Sequence, residues 1–245
     1  MSGHSKWANI KHKKGKVDAI RGQVTTKIAR EITVAVKLGG SDPTGNMRLK
    51  LALAKAKANN IPKDNIQRAV QKGAGAGDGA SYEEIIYEGY GPGGTAVFLE
   101  AMTDNRNRTA ADIRHLFAKN GGNLGENGCV GWMFKQKGIF TVEKAKGVDE
   151  ETLMMIALEA GAEDIAEQDG QFEITADPAN FEAIEKALEQ NKITPSSASI
   201  AMIPDTTVAL TGDEAVKMLK LMEALEEHDD VQEVYANFEI PDDLF

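Results

Sequence analysis

Residues 73–81, with the sequence GAGAGDGAS, separate two parts of this chain that follow different residue patterns. Before this glycine-rich stretch, apolar residues recur at every third or fourth position, as they do in amphipathic helices. After it, short runs typical of β-strands alternate with helical runs. Because the stretch has no large apolar side chain to anchor it, it is predicted to be a flexible boundary. The chain is therefore expected to fold as a multidomain α+β protein whose first domain is helical.

Residues 1–76 are predicted to form a basic three-helix bundle. The first helix is indicated by a set of regularly spaced apolar residues, which are Val17, Ile20, Val24, Ile28, Ile32 and Ala35. Their spacing of three and four residues places them on one face, and Gly39 with Gly40 ends the helix. A second helix is expected at about 45–59, and a third short helix begins after Pro62.

Residues 137–204 are predicted to form a complete ferredoxin-like unit with the element order βαββαβ. Its strands are expected at 139–144, 163–168, 171–176 and 198–203, and its helices at 149–160 and 178–191. The flanking segments, 77–136 and 205–245, each contain a βαβ pattern, and the two halves together make a second unit of the same kind. The sequence therefore predicts that one ferredoxin-like α+β domain is inserted into another, discontinuous one.

The discontinuous domain is predicted in more detail from its alternating apolar runs. Its strands are expected at 95–102, 130–135, 206–211 and 231–238, and its helices at 107–119 and 213–227. A hairpin signal adds an edge strand near residue 86, with the glycine-rich residues 91–94 as its turn.

Charge is distributed very unevenly along the chain. The total is −10, but residues 1–72 carry +12, from 16 Lys and Arg against 4 Asp and Glu. Residues 73–245 carry −22, from 12 basic against 34 acidic residues. A basic segment of this size is expected to attract a polyanion, since neutralising phosphates releases counterions. The acidic part is expected to repel phosphate. Its expected role is one of three: to orient the basic domain by avoiding the polyanion, to dock a second subunit, or to contact a basic protein partner or the ribosome.

The candidate nucleic-acid contacts lie in the N-terminal arm and along the first helix. They are Lys6, Trp7, Asn9, Lys11, His12, Lys13, Lys14, Lys16, Arg21, Lys27, Arg30 and Lys37. Lysine and arginine supply charge for phosphates, Trp7 can stack on an exposed base, and Asn9 can form hydrogen bonds. Four of these cations, Lys16, Lys27, Arg30 and Lys37, fall in one arc beside the apolar face and form a cationic ridge. The alternative is a solvated basic tail with Trp7 packed against the bundle.

Arg106 and Arg108, in the segment DNRNR before a predicted helix, are candidates for a second anion site. The competing interpretation, which we favour, pairs these arginines with carboxylates of the acidic part. Residues 121–131, GGNLGENGCVG, match neither the Walker pattern nor a dinucleotide fingerprint, so phosphate binding is not expected there.

No catalytic residue, metal site or cofactor is expected. The four histidines are scattered, and the first 72 residues hold only four carboxylates, each suited to a capping or ion-pair role. A nuclease is the competing class, since basic surfaces also serve catalysis on nucleic acid. A small-molecule sensor is a third class, without a residue in its favour. The single cysteine, the lack of a secretory signal and the lack of an apolar run of about 18 residues predict a cytoplasmic protein that does not enter a membrane.

Several segments resemble the YebC-type family of regulatory proteins. They are GHSKWANIKHKK, RGQVTTKIAREITVAVKLGG, KANNIPKDNIQRA, YEGYGPGG, TDNRNRTAADIRH and GGNLG. The resemblance implies three domains, one basic and helical and two α+β. It also implies a non-enzymatic regulator of gene expression, described for bacterial members as a DNA-binding transcriptional regulator. A translation factor associated with the ribosome or RNA is the alternative, because the resemblance reaches the mitochondrial translational activator of cytochrome c oxidase subunit I.

Overall fold

The structure, a computed structural model, describes residues 19–75, 81–144, 148–168 and 170–240. Its contacts divide the chain into two compact units. The first unit comprises residues 1–133 together with 204–245, and the second unit comprises residues 134–203. Helices come first and two four-stranded antiparallel sheets follow, so the predicted α+β class is confirmed. The division into three domains stays a prediction.

Helices and strands of the described residues are numbered in chain order. The helices are α1 (Ala19–Gly39), α2 (Met47–Ala58), α3 (Lys63–Gly73), α4 (Arg106–Lys119), α5 (Glu150–Glu159), α6 (Phe181–Gln190) and α7 (Gly212–Glu226). The strands are β1 (Glu83–Tyr90), β2 (Ala96–Thr103), β3 (Asn123–Leu124), β4 (Phe134–Glu143), β5 (Ala162–Gln168), β6 (Gln171–Ala176), β7 (Ser197–Pro204), β8 (Val208–Ala209), β9 (Val231–Ala236) and β10 (Phe238–Glu239).

Helices α1, α2 and α3 pack around an apolar core because each presents an apolar face at helical spacing. Buried members of this core include Ile28, Ile32, Leu49, Ala56 and Ala69. Asn46 joins the first two helices, since its Nδ2 donates to Ala35 O at 2.8 Å and to Gly40 O at 2.9 Å. Its Oδ1 accepts from the Leu49 N–H at 3.1 Å and so caps α2. One amide thus bonds the backbone at the end of α1 and at the start of α2.

The first unit contains an antiparallel sheet with the strand order β3-β1-β2-β9. Helices α4 and α7 pack on one face of this sheet through a shared apolar core. Fully buried members of that core include Val97, Leu99, Ile113, Phe117, Met218 and Leu221. Because β2 pairs with β9, the two chain segments that flank the second unit complete a single sheet.

Strand β1, predicted as an edge strand, lies inside the sheet between β3 and β2. The close approach of β3 depends on Gly89, because a Cβ added there would lie 2.6 Å from the Asn123 backbone oxygen. A residue with a side chain would push the short β3 away from β1. Strand β3 was not predicted, because it has only two residues.

Two other predicted strands, 130–135 and 206–211, are shorter or displaced in the structure. In place of a strand at 130–135, Gly131–Met133 forms a short 3-10 turn before β4 begins. The backbone N–H groups of Val130 and Gly131 donate to the Glu88 carboxylate and not to a neighbouring strand. The strand predicted at 206–211 is reduced to β8, which pairs in parallel with β10 outside the four-stranded sheet.

The second unit has the strand order β5-β6-β4-β7, which is the ferredoxin-like order for the chain sequence βαββαβ. Its core is fully buried and includes Phe140, Val142, Leu153, Phe172, Ile174, Phe181, Ile184 and Leu188. The rings of Phe140 and Phe181 stack with their centroids 4.5 Å apart, which joins β4 to α6. Alternating burial along β6 explains why the period-two pattern predicted this strand correctly.

Candidate nucleic-acid interface

The predicted contacts from Lys6 to Lys16 lie outside the described residues. Arg21 lies within α1, where only its backbone is described. Lys37 is exposed in the last turn of α1, and its Nζ donates to Ser81 Oγ at 2.9 Å. A role of these residues in binding nucleic acid stays a prediction.

Lys27 lies against the C-terminal end of α7. Its ammonium group donates to the carbonyl oxygen of Glu226, and the Gln23 side-chain amide donates to the Glu227 carbonyl oxygen at 3.1 Å. The last carbonyl groups of a helix have no partner within the helix and form the negative end of its dipole. A positively charged donor is therefore stabilising there, and Lys27 contacts the α+β part of the first unit.

Arg30 contacts the turn between α7 and β9. Its Nη1 donates to Asp230 Oδ1 at 2.8 Å and to the Asp229 carbonyl oxygen at 2.9 Å. The same nitrogen lies 3.2 Å from the carbonyl oxygen of Met102 in β2. The Arg30 and Asp230 side chains are only 16% and 5% exposed, so water screens this ion pair little. The cationic ridge is thus in part an internal contact surface, where Lys27 and Arg30 bind groups of the same chain.

Asp230 accepts several further hydrogen bonds. Its Oδ2 accepts hydrogen bonds from the Thr109 hydroxyl at 2.8 Å and from Arg108 Nη2 at 3.0 Å. Burial raises the pKa of Asp230, but the hydrogen bonds from Thr109, Arg108 and Arg30 outweigh burial and lower the pKa below its ordinary value. The carboxyl group is therefore ionised and holds α1, α4 and the start of β9 together.

Arg106 and Arg108 both pair with carboxylates. Arg106 lies 3.2 Å from Glu83, and both side chains are more than half exposed. Arg108 lies 3.0 Å from Asp104 and also 3.0 Å from Asp230. These contacts favour the ion-pair interpretation of the two arginines over an anion site.

A charged strip of α2 faces carboxylates on the sheet. Arg48 pairs with Glu31 of α1 and with Glu84 of β1, each at 2.6 Å. Lys55 pairs with Glu233 of β9 at the same distance. These cations therefore attach the bundle to the sheet face opposite α4 and α7.

Glu100 of β2 lies among the carboxylates on this face. Burial, followed by the negative charges of Glu233 and Glu31, raises the pKa of Glu100 to about 7. Arg48 acts in the opposite direction but does not compensate. The contact between α2 and the sheet therefore contains a carboxyl group whose pKa lies near neutral pH.

Tyr82 follows the glycine-rich boundary and is held by the bundle. The Arg30 guanidinium carbon lies 5.1 Å from its ring centroid, and Lys72 Nζ lies 5.0 Å from it. Both distances fall in the range of cation–π contacts. With the bond from Lys37 to Ser81, these contacts fix the chain where β1 begins. The predicted flexible boundary at 73–81 is described only at its two ends, 73–75 and Ser81.

Glu88 of β1 organises the glycine-rich loop before β4. Its carboxylate accepts from the backbone N–H groups of Gly128, Val130 and Gly131, with 3.1 Å to Val130 N. Glu88 is 5% exposed, and its own carbonyl oxygen accepts from Gly125 N at 2.8 Å. Backbone amides of this loop that could have bound a phosphate are therefore engaged with a carboxylate of the chain.

Asp230 and Glu88 were not among the predicted residues. Asp230 stands in the acidic run EEHDD and Glu88 in a strand with two other glutamates, so neither differs locally from its neighbours. Only the fold brings their donors to them.

Within the described ranges, no group of three or more His, Cys, Asp or Glu side chains is placed to hold a metal ion. Over the same ranges, every helix is too short or too polar to cross a membrane.

Comparisons with known proteins cover nearly the whole chain. Residues 5–76 match a family model described as the TACO1/YebC protein N-terminal domain, and residues 82–238 match one described as the TACO1/YebC second and third domain. The chain is 56% identical over 246 residues to a probable transcriptional regulatory protein of Natranaerobius thermophilus, covering 100% of this chain and 98% of that protein. A protein of the same name from Pelotomaculum thermopropionicum is 59% identical over 244 residues, covering 99% and 100%. The crystal structure of a conserved hypothetical protein from Aquifex aeolicus is similar with a TM-score of 0.86 at 49% identity, covering 97% of this chain and 98% of that one.

Proposed function

This chain belongs to the TACO1/YebC family, and we propose that it is a non-enzymatic regulator of gene expression that binds nucleic acid through its basic N-terminal segment. The observation that carries this proposal is the charge of residues 1–72, where 16 cations accompany only 4 carboxylates. The four carboxylates of the segment balance only four of its 16 positive charges, so the segment itself carries +12. The excess attracts a polyanion and supplies binding free energy through counterion release.

Contacts within the chain indicate which of these cations serve the nucleic acid. Lys27, Arg30, Arg48 and Lys55 bind groups of the α+β part of the first unit. We assign these four to holding the bundle in place. The proposed phosphate contacts are the arm from Lys6 to Lys16, together with Arg21 and Lys37. Lys37 is exposed, and its bond to the neutral Ser81 hydroxyl leaves its charge in place.

The proposed nucleic acid is DNA and the proposed regulated step is transcription. Support comes from relatives that are matched over 98% and 100% of their length and are named probable transcriptional regulatory proteins. The acidic residues 73–245 would repel phosphate and so restrict nucleic acid to the basic face. Within the second unit alone, 14 Asp and Glu accompany 6 Lys, which suits contact with a basic protein.

The affinity for DNA at a series of salt concentrations tests the proposed phosphate contacts. We expect the triple variant Lys11→Gln, Lys13→Gln, Lys14→Gln to bind duplex DNA more weakly than the parent chain. Removing one phosphate contact lowers the slope of log K against log salt by about 0.9, so the removal of three lowers it by roughly 2.7. Fluorescence anisotropy of a labelled duplex between about 50 and 200 mM salt measures both the affinity and the slope.

The matched control changes the same charge on the acidic part. Lys186, Lys192 and Lys220 are exposed, and their triple exchange to Gln should leave the slope unaltered. An arm variant with the affinity and slope of the parent would contradict the proposal. Sedimentation with ribosomes at moderate salt, combined with weak binding to duplex DNA, would instead favour the translation factor.

A further inference from the structure

Helix α5 of the second unit carries apolar side chains on two sides. Leu153 and Ala157 are fully buried in the core of the unit. Met154, Met155 and Leu158 are instead 37%, 65% and 48% exposed. Because Leu158 follows Met154 by four residues and Met155 by three, these three side chains are neighbours on the helix surface. They are called here the α5 apolar face, and packing of the core does not account for them.

The ends of α5 are acidic. Glu150 and Glu151 begin the helix, Glu159 ends it, and all three are exposed. Among the described residues, no cation pairs with any of the three. Glu150 and Glu151 suit the positive end of the helix dipole, but Glu159 adds negative charge to the negative end. The stability of the helix therefore does not explain Glu159.

Helix α6 continues this negative surface. Asn180 Nδ2 donates to Gly161 O at 3.1 Å, which places the start of α6 beside the end of α5. Glu182, in the first turn of α6, and Glu189 are exposed. Together the two helices contain six glutamates and one lysine, Lys186. The α5 apolar face therefore lies within a strongly negative surface.

The charge of this surface determines which class of partner it fits. Nucleic acid and anionic lipid headgroups have the same sign of charge as the glutamates and are repelled. A symmetric contact between two copies of this chain would place each set of glutamates against its equivalent, which is also repulsive. A basic protein has the opposite charge, and flexible methionine side chains adapt to apolar groups of different shapes. Complementary charge thus favours a basic protein partner.

We propose that the α5 apolar face binds a basic amphipathic helix of another protein. Such a helix presents apolar residues at intervals of three and four positions, the same spacing that the α5 apolar face has. Lysine or arginine residues beside that apolar side would pair with Glu151 and Glu159. The inference goes beyond the proposed binding of nucleic acid, because this contact does not require it.

Binding of a designed peptide tests this proposal. The probe is a helical peptide of about 18 residues of leucine and lysine, with leucine at every third or fourth position. The full-length protein should bind it, and isothermal titration calorimetry measures the affinity. The double variant Met155→Ala, Leu158→Ala should bind it roughly 10- to 100-fold more weakly, because both exchanges remove apolar area that the peptide covers. Glu151→Gln with Glu159→Gln should also weaken binding and reduce its dependence on salt.

Leu38→Ala is the matched control, because Leu38 is 66% exposed but lies on the first unit. It should leave the affinity for the peptide unchanged. A peptide of the same composition, ordered so that it has no apolar side, should bind roughly tenfold more weakly or less.

Equal binding of the two peptides, or equal binding of the amphipathic peptide to the parent chain and to the variant Met155→Ala, Leu158→Ala, would overturn the proposal. Self-association of the parent chain that this variant abolishes would also overturn it, since a second copy would then be the occupant. The variant should keep the affinity of the parent chain for duplex DNA. Failure of the peptide to bind therefore leaves the proposed function intact, and failure of DNA to bind leaves the contact of α5 intact.

Discussion

At the scale of single residues, Asp230 connects parts of the chain that are far apart in sequence. Its carboxylate accepts hydrogen bonds from Arg30, Arg108 and Thr109, on helices α1 and α4. A buried carboxylate without partners costs several kcal/mol, so the site is stable only while these donors remain. Because the folded pKa is lowered below 3.8, this stabilisation is present above that pH and is lost as the pH falls through the folded pKa.

Exchange of Asp230 for Asn should lower the free energy of unfolding of the first unit by about 3 to 5 kcal/mol, since it leaves the buried Arg30 without a counter-charge. Urea unfolding at neutral pH measures the change. Glu83→Gln is the control, because Glu83 and its partner Arg106 are 54% and 61% exposed and such pairs contribute about 0 to 1 kcal/mol. Equal losses in the two variants would show that the burial of Asp230 has no special effect.

At the scale of elements, the contact between α2 and the sheet combines favourable ion pairs with an unfavourable carboxylate. Arg48 and Lys55 are paired, but Glu100 has a pKa raised from 4.5 to about 7. A group whose pKa is raised on folding stabilises the fold when it is protonated. Its contribution is therefore fully present below pH 4.5 and is lost as the pH rises through about 7.

Glu100→Gln should therefore stabilise the first unit above pH 7, by roughly 1 to 3 kcal/mol at pH 8, because glutamine cannot ionise. Below pH 4.5 the variant and the parent chain should have similar stabilities. Thermal unfolding followed by circular dichroism between pH 4 and 8 measures the difference. A stability difference that does not vary with pH would contradict the raised pKa of Glu100.

Elements whose apolar residues recur at a regular spacing were predictable from the sequence. Elements determined by contacts with distant residues were not. Helix α1 and strand β6 follow their apolar patterns because one face of each is buried. The strand predicted at 130–135 failed because a single carboxylate, Glu88, binds its backbone N–H groups. For the candidate interface, the sequence supplied the positive charge, but it could not show that Arg30 is paired with a residue 200 positions away.

At the scale of the whole molecule, the two units differ in how their chain segments are arranged. The second unit is continuous, from Phe134 to Ile203, and contains its own core. The first unit is interrupted by it, and its sheet is complete only when β9 pairs with β2. Continuous units can fold alone when their core is self-contained, whereas a fragment that lacks a central pairing partner cannot.

A fragment of residues 134–203 should therefore fold by itself, with a cooperative urea transition and dispersed amide signals in NMR spectra. A fragment of residues 1–133 should lack a cooperative transition of its sheet, because the apolar residues of β2 lose both β9 and α7. Supplying residues 204–245 in trans should restore part of the structure. Cooperative unfolding of the sheet in the shorter N-terminal fragment would contradict this assignment.

The pairing of β2 with β9 also determines the order of events while the protein is being synthesised. About 130 residues separate Ala101 from Val231, which at about 5 to 20 residues per second takes roughly ten seconds to translate. During that interval the free side of β2 has no partner strand, and its apolar face lacks α7. The nascent chain is therefore exposed to aggregation until its C-terminal segment leaves the ribosome, and chaperone binding should be most frequent in this window.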